Sequence, residues 1–318
     1  MNTLILRQLF APLRNPSNPL SDAQIASFNE NGFLALDAIT TPAELAMLKN
    51  VFDRLVRCQA GVDEGAQYDL IGEREAADAR LLQIMNPANY AAELRDTIFR
   101  AKALAIARQL LGNGAAPFFE HAICKPPHRG SATPWHQDEA YRSDPNFEYR
   151  EVSIWMPLQD VTLQNGCMQF LQGSHRGELQ PHRPLNNDPS VHQLECCAEI
   201  DARSAVPCPI AAGGCTIHTG RTLHYAGPNY SGSSRWAYII AFDLPPRRRS
   251  AMREFPWNDE RRPTNVLRRR TWLRRGGAFT HIWRTLRRMP KDPQRVYYWV
   301  RRALRELHNL DRSDDGRT

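Results

Sequence analysis

Val152-Ser153-Ile154-Trp155-Met156 and Trp236-Ala237-Tyr238-Ile239-Ile240-Ala241-Phe242 are short runs rich in β-branched and aromatic residues, each bounded by turn-forming residues. Runs of this length and composition read as strands rather than helices. Three further segments between residues 118 and 244 have the same character, at 120–125, 167–172 and 214–218, with Gly, Pro and Asn between them. Short strands without intervening helical periodicity predict an all-β sandwich or barrel rather than βα units. The 180–206 segment is polar and Pro-rich, and is expected to be a long loop acting as a lid or partly mobile.

Working outward, the first 112 residues read as helices around one short strand. Ser21-Asp22-Ala23-Gln24 is a capping-box start, Asn31-Gly32 ends that helix, and Phe33-Leu34-Ala35-Leu36 is extended and apolar. Thr41-Pro42 opens a second helix with Leu45, Leu48, Phe52, Leu55 and Val56 along one stripe. A third is expected from Ala91 to Leu111, stopped by Gly112-Asn113-Gly114. The fold class is therefore α+β with a mainly β core.

The 318 residues, 42% hydrophobic and 24% charged, suffice for one large domain with an appendage and exclude wholesale disorder, a collagen repeat and a multi-span membrane protein. Residues 1–246 carry 20 Lys and Arg against 26 Asp and Glu, whereas residues 247–318 carry 21 against 8. The boundary is Pro245-Pro246-Arg247-Arg248-Arg249, so two units are expected, 1–246 and 247–318. In the second, Phe279, Ile282, Trp283 and Leu286 form one apolar helical stripe, and Val296, Trp299, Val300, Ala303, Leu304 and Leu307 form another. With its arginines and four of the seven tryptophans, this tail has the composition of a helical anchor on an anionic membrane surface.

Seven cysteines, including the adjacent Cys196 and Cys197, show no paired CxxC spacing and suit a reduced cytoplasmic protein. Arg7 interrupts the apolar stretch 3–10, leaving no signal-peptide core, and no apolar run is long enough to span a bilayer. The expected location is cytoplasmic, peripheral on the inner face of the cytoplasmic membrane.

The candidate chemistry begins at Pro134-Trp135-His136-Gln137-Asp138. In an extended chain, residues two apart leave the same face, so His136 and Asp138 can share one ion. A third ligand must come from elsewhere. His224, on a later strand of the β region, is the first choice and His218 the alternative. Two imidazoles and a carboxylate on one octahedral face suit non-haem Fe(II) with positions open for a bidentate cosubstrate and O2. Eleven residues after His224, Arg235 opens an apolar strand, where a guanidinium is costly unless an anion such as the distal carboxylate of 2-oxoglutarate meets it.

With these residues in order, the stretch from about Ser21 to Leu244 resembles the phytanoyl-CoA dioxygenase family of Fe(II)/2-oxoglutarate oxygenases. The matches are Asn31-Gly32-Phe33-Leu34, Lys125, His136-Gln137-Asp138, Trp155, Asn165-Gly166-Cys167-Met168, Gly173-Ser174-His175, His224, Pro228-Asn229 and Arg235. The resemblance implies a double-stranded β-helix, or jelly roll, flanked by N-terminal helices. It implies iron ligation by His136, Asp138 and His224, cosubstrate binding by Arg235, and a pocket lined by Trp155; it places His218 at an apolar position. Lys125, with Arg221, is expected near the mouth, where it would meet an anionic cosubstrate or substrate.

Three positions depart from the family pattern. Gly213-Gly214 replaces Gly-Asp, Ala226 stands where a Ser is frequent, and Gln172 replaces a Pro. Asp138 occupies the position that the halogenase branch leaves vacant, which favours hydroxylation. The implied activity is hydroxylation of an aliphatic C–H with release of succinate and CO2. The expected substrate is an anionic, membrane-presented lipid or glycolipid, with 3-deoxy-D-manno-octulosonic acid of lipopolysaccharide as the named candidate. A soluble acyl-CoA or carrier-linked molecule is the alternative; a nucleic-acid demethylase and a non-catalytic metal-binding scaffold are the others. The tail carries no nucleic-acid-binding motif.

Overall fold

The computed structural model describes residues 19–72 and 78–287, together with 293, 296, 297 and 300. In chain order its longer helices are α1 (Asp22–Asn31), α2 (Pro42–Arg57), α3 (Ile98–Leu111), α4 (Pro256–Glu260), α5 (Thr264–Trp272) and α6 (Ala278–Arg287). The strands are β1 (Phe33–Leu36), β2 (Gln67–Asp69), β3 (Leu82–Met85), β4 (Ala116–Lys125), β5 (Thr133–His136), β6 (Phe147–Glu148), β7 (Glu151–Pro157) and β8 (Met168–Phe170). They continue with β9 (His182–Pro184), β10 (Leu194–Cys196), β11 (Val206–Cys208), β12 (Cys215–Thr219), β13 (His224–Ala226), β14 (Arg235–Asp243) and β15 (Arg247–Arg248).

Local chemistry sets the helix ends. Ser21 and Gln24 form the expected reciprocal capping box, and Thr41 caps α2 with Pro42 in its first turn. The third helix begins at Ile98, not Ala91. Thr97 caps it, and residues 92–95 form a separate 3-10 turn. The carboxylate of buried Glu44 accepts from the backbone N–H of Ile98 (2.6 Å) and Phe99 (2.9 Å), so an anion meets the free donors of the new helix start.

Seven strands pair in the order β1-β12-β7-β14-β4-β3-β2 and four in the order β11-β8-β13-β5, antiparallel throughout. The two sheets face each other as an open jelly roll rather than a closed barrel. Phe33 of β1 stacks on Phe170 of β8 at 4.6 Å, and Trp155, Met168, Phe170, Ala237 and Ile239 fill the space between the sheets. The outer face of the larger sheet carries Ile154, Ile217, Trp236, Tyr238 and Ile240 against Phe52 of α2 and Phe99 of α3. Because β14 is buried on both faces, its sequence reads as a continuous apolar run.

The 180–206 segment is not a featureless loop. It holds the β9–β10 hairpin, and β11 joins the smaller sheet through β8. Three-residue strands, two of them containing proline, leave too short a pattern to read as periodicity. The segment is tied to the sandwich where the Leu194 N–H donates to the Tyr141 hydroxyl (2.9 Å).

Residues 247–287 lie against this core. β15 pairs with β6, and Phe255 and Trp257 pack with Ala140 and Leu194. The Trp257 indole donates to the Ala140 carbonyl (2.9 Å). Arg284 of α6 pairs with Glu64 (2.6 Å), yet the apolar stripe of that helix faces outward, with Phe279 84%, Ile282 46%, Trp283 55% and Leu286 58% exposed. The second expected amphipathic helix falls almost wholly outside the described residues. No described helix is long and apolar enough to cross a membrane, and all seven cysteines are free thiols.

Candidate active site

β5 and β13 are neighbours in the smaller sheet, with His136 directly opposite His224. Their rings lie 4.1 Å apart between centroids. Gln137 is extended (φ −119°, ψ 130°), which returns the Asp138 side chain to the His136 side, as two-residue spacing requires. Asp138 Oδ1 stands 3.6 Å from Nε2 of each imidazole. All three candidate ligand atoms lie within 4.8 Å of one another, the only such His/Cys/Asp/Glu group among the described residues.

Hydrogen bonds settle which nitrogen of each imidazole faces the cluster. His136 Nδ1 donates to the Pro134 carbonyl (2.8 Å) and His224 Nδ1 to the Thr222 carbonyl (2.9 Å), leaving both Nε2 lone pairs turned toward Asp138. Burial, followed by the neighbouring His136 and His218, holds His224 well below its ordinary pKa, so the ring is neutral. Burial alone would raise Asp138; the adjacent His224 and His136, with the hydrogen bond from His218, override it and keep the carboxyl well below the usual range. A neutral His224 and an ionised Asp138 are in the protonation states that metal ligation needs.

Arg235 is 1% exposed, and its Nε and Nη1 have no hydrogen-bond partner among the described residues. Its guanidinium carbon lies 5.3 Å from the centre of the Trp155 ring, and burial pushes its pKa down to about 10. Trp155 therefore serves both the core between the sheets and the wall beside this cation.

Lys125 sits opposite Arg235 across β4 and β14, but not at a mouth: it is fully buried. Its Nζ donates to the carbonyls of Ala226 (2.8 Å) and Gly227 (2.6 Å), fastening the chain just beyond His224. Gly166 permits the same backbone to approach, since a Cβ there would lie 2.3 Å from the Gly227 oxygen. Arg221 is engaged by Glu139 at 2.7 Å.

The structure adds Ser153, which the spacing argument passed over, and places His218, the alternative ligand, behind Asp138. Ser153 Oγ donates to Asp138 Oδ2 (2.6 Å), and His218 Nε2 reaches the same oxygen (3.2 Å). His182 is buried; its Nε2 accepts the N–H of Gln137 (3.1 Å), steadying the residue between two candidate ligands. His192 stacks on Tyr141 at 5.8 Å, His121 bonds Gln83 (2.9 Å), and His175 bonds the Asn29 carbonyl (3.1 Å). The alternation of β12 brings His218 to the site, since Thr216 and His218 leave one face of the strand while Cys215 and Ile217 join the core on the other.

The phytanoyl-CoA dioxygenase family model matches residues 28–237, which include every candidate ligand and Arg235. The chain belongs to the phytanoyl-CoA dioxygenase family. Phytanoyl-CoA dioxygenase domain-containing protein 1 of Bos taurus is 26% identical over 260 residues, covering 70% of this chain and 89% of the relative. EvdO2 from Micromonospora carbonacea var. aurantiaca, solved in complex with 2-oxoglutarate, is 34% identical with a TM-score of 0.65, covering 75% of this chain and 96% of that one. EctD from S. alaskensis, solved with 2-oxoglutarate and 5-hydroxyectoine, is 19% identical with a TM-score of 0.57 and shares the fold. This member of the family is a 2-oxoglutarate-dependent dioxygenase that uses iron, 2-oxoglutarate and O2.

Proposed function

We propose that this dioxygenase hydroxylates an aliphatic C–H bond, with His136 Nε2, Asp138 Oδ1 and His224 Nε2 as the iron ligands and Arg235 as the anchor of 2-oxoglutarate. The observation that carries the reading is the buried guanidinium with two unpartnered nitrogens, set in the same sandwich as a two-His, one-Asp cluster. A cation so placed is costly to the empty protein and becomes favourable when a carboxylate meets it. Fe(II) supplies the oxidising chemistry when bound with its cosubstrate, O2 being divided between the substrate and succinate as CO2 leaves.

The protein's own residues bind, orient and exclude water. The Nδ1 hydrogen bonds of His136 and His224 hold both rings in the ligating tautomer. Trp155 walls the Arg235 pocket, where low dielectric strengthens the grip on a carboxylate. Lys125 serves the pocket indirectly, through the carbonyls it ties beyond His224. Asp138 fills the coordination position that halide transfer would need free, which favours oxygen transfer.

For the substrate we propose an anionic amphiphile met at the inner membrane surface, with 3-deoxy-D-manno-octulosonic acid of lipopolysaccharide as the specific candidate. Support comes from the outward stripe of α6 and from residues 264–287, which hold seven arginines and no carboxylate. An acyl-CoA is the second reading, favoured by the names of the curated relatives.

The test is succinate formation by purified protein with Fe(II), 2-oxoglutarate and each substrate class, alongside mass spectrometry of lipids and lipopolysaccharide from cells with and without the gene. Hydroxylation requires succinate dependent on Fe(II) and O2, and a cellular product heavier by one oxygen atom. Absence of any such turnover would leave the scaffold reading. Full-length protein that stays off anionic vesicles at low salt would sink the membrane version.

A further inference from the structure

The two oxygens of Asp138 face different partners. Oδ1 is 3.6 Å from the Nε2 atoms of both His136 and His224, whereas Oδ2 accepts from Ser153 Oγ at 2.6 Å and contacts His218 Nε2 at 3.2 Å. Ser153 and His218 lie opposite each other in the β7–β12 ladder, so the larger sheet presents both donors side by side. An ionised carboxylate only accepts, so His218 Nε2 must carry the proton in this contact. The His218 ring is 2% exposed and is packed against His224, at 4.2 Å between centroids, and Phe170, at 5.4 Å. Its Nδ1 meets no hydrogen-bond partner among the described residues, so Asp138 is the contact that accounts for burying an imidazole here.

We propose that His218 is a positioning residue of this chain: with Ser153 it holds Asp138 Oδ2 against the sheet, so that the carboxylate offers the metal one oxygen rather than two. The proposal rests on Asp138 Oδ1 being a ligand, as proposed above. A carboxylate free to rotate can chelate through both oxygens and occupy a coordination position that the bidentate cosubstrate or O2 needs. Two donors on Oδ2 resist that rotation, because swinging Oδ2 toward the metal breaks both contacts. His218 itself stands outside the group of atoms that share a ligating distance, which separates its role from that of His224.

The test is anaerobic Fe(II) titration of the purified protein in the presence of 2-oxoglutarate, followed by the visible charge-transfer absorption of the ternary complex. Variants His218→Phe, His218→Gln and Ser153→Ala are compared. Outer hydrogen-bond partners of ligands are worth about 10- to 100-fold in metal affinity. His218→Phe is expected to weaken Fe(II) binding within that range and alter the absorption band, and His218→Gln, which keeps an N–H donor, to recover most of the loss. Should His218→Phe fail to fold, Ser153→Ala and His218→Gln carry the test: loss of the serine donor is expected to weaken Fe(II), and retention of an amide donor to preserve it.

Fe(II) affinity and absorption unchanged in the phenylalanine variant, or in Ser153→Ala where that variant must substitute, would overturn the proposal. So would a metal-loaded crystal structure with His218 Nε2 on the ion or Asp138 chelating through both oxygens. A wild-type protein that forms no ternary complex at all would instead overturn the ligand assignment on which the proposal stands.

Discussion

Arg235 and helix α6 break the same burial rule in opposite directions. At Arg235 a full charge lies 1% exposed with two nitrogens unpartnered; on α6 a phenylalanine, an isoleucine, a tryptophan and a leucine face solvent. Buried unpaired polarity and clustered exposed apolarity are the informative departures from ordinary packing, because each is unfavourable in the isolated chain. They differ in how narrowly they define the missing partner. The Arg235 site specifies charge and location, since the strands around it are locked by hydrogen bonds. The α6 stripe specifies only that something apolar or amphipathic should cover it.

The largest effect should come from the cluster that gives the Arg235 pocket its purpose. Asp138→Ala is expected to reduce succinate formation to the no-enzyme background at saturating Fe(II), because two imidazoles alone leave an incomplete facial set. Retained turnover would break the comparison at its root.

Arg235→Met should separate binding from folding. Losing the partner of a buried carboxylate costs about 3–5 kcal/mol, so the apparent KM for 2-oxoglutarate should rise about 100-fold or more. The same variant without cosubstrate should melt at a higher temperature, because an unpartnered buried charge has been removed. A fall in melting temperature with KM unchanged would mean that the guanidinium has a structural partner.

The tail can be tested against itself. Trp257 is packed with Ala140 and Leu194 and hydrogen-bonded, so Trp257→Ala should destabilise the protein by about 3–5 kcal/mol in urea unfolding. Such a loss would mark residues 247–257 as integral to the domain's stability.

Acid should act on the buried imidazoles. Burial holds His182 down to about 4 and His192 down to about 3, against an ordinary value of 6.5. The unfolded chain therefore binds protons that the folded chain refuses once the pH drops below about 6.5. Their stabilising contribution is complete above that pH and is lost as pH falls toward 4. Two such groups predict a loss of about 2 kcal/mol between pH 6 and 5, read from urea midpoints. A flat profile would show these rings to be hydrated.

The smallest effect belongs to α6. Trp283→Ala should change stability by less than about 0.5 kcal/mol, while reducing attachment to anionic vesicles. A large destabilisation would reveal that part of the stripe is already covered within the protein.

How far these features were legible depends on the distance over which each one is encoded. His136 and Asp138 were readable because two-residue spacing on extended backbone puts side chains on one face, and Arg235 because a charge heading an apolar strand asks for an anion. The third helix was placed too early because the Thr97 cap and the Glu44 carboxylate, 54 residues away from Ile98, decide its start. The 180–206 segment hid its strands because three residues carry no measurable period.

Local pattern alone therefore determined the β core, the caps of α1 and α2, the His136–Asp138 pair and the existence of an apolar stripe at 279–286, since each depends on backbone periodicity or on neighbours within a few residues. Tertiary structure decided that Lys125 is buried and clamps the chain beyond His224, that His218 faces Asp138 across 80 residues, and that the α6 stripe points outward. The physical reason is register: a strand's sequence says which residues share a face, but only its pairing with other strands says what that face meets.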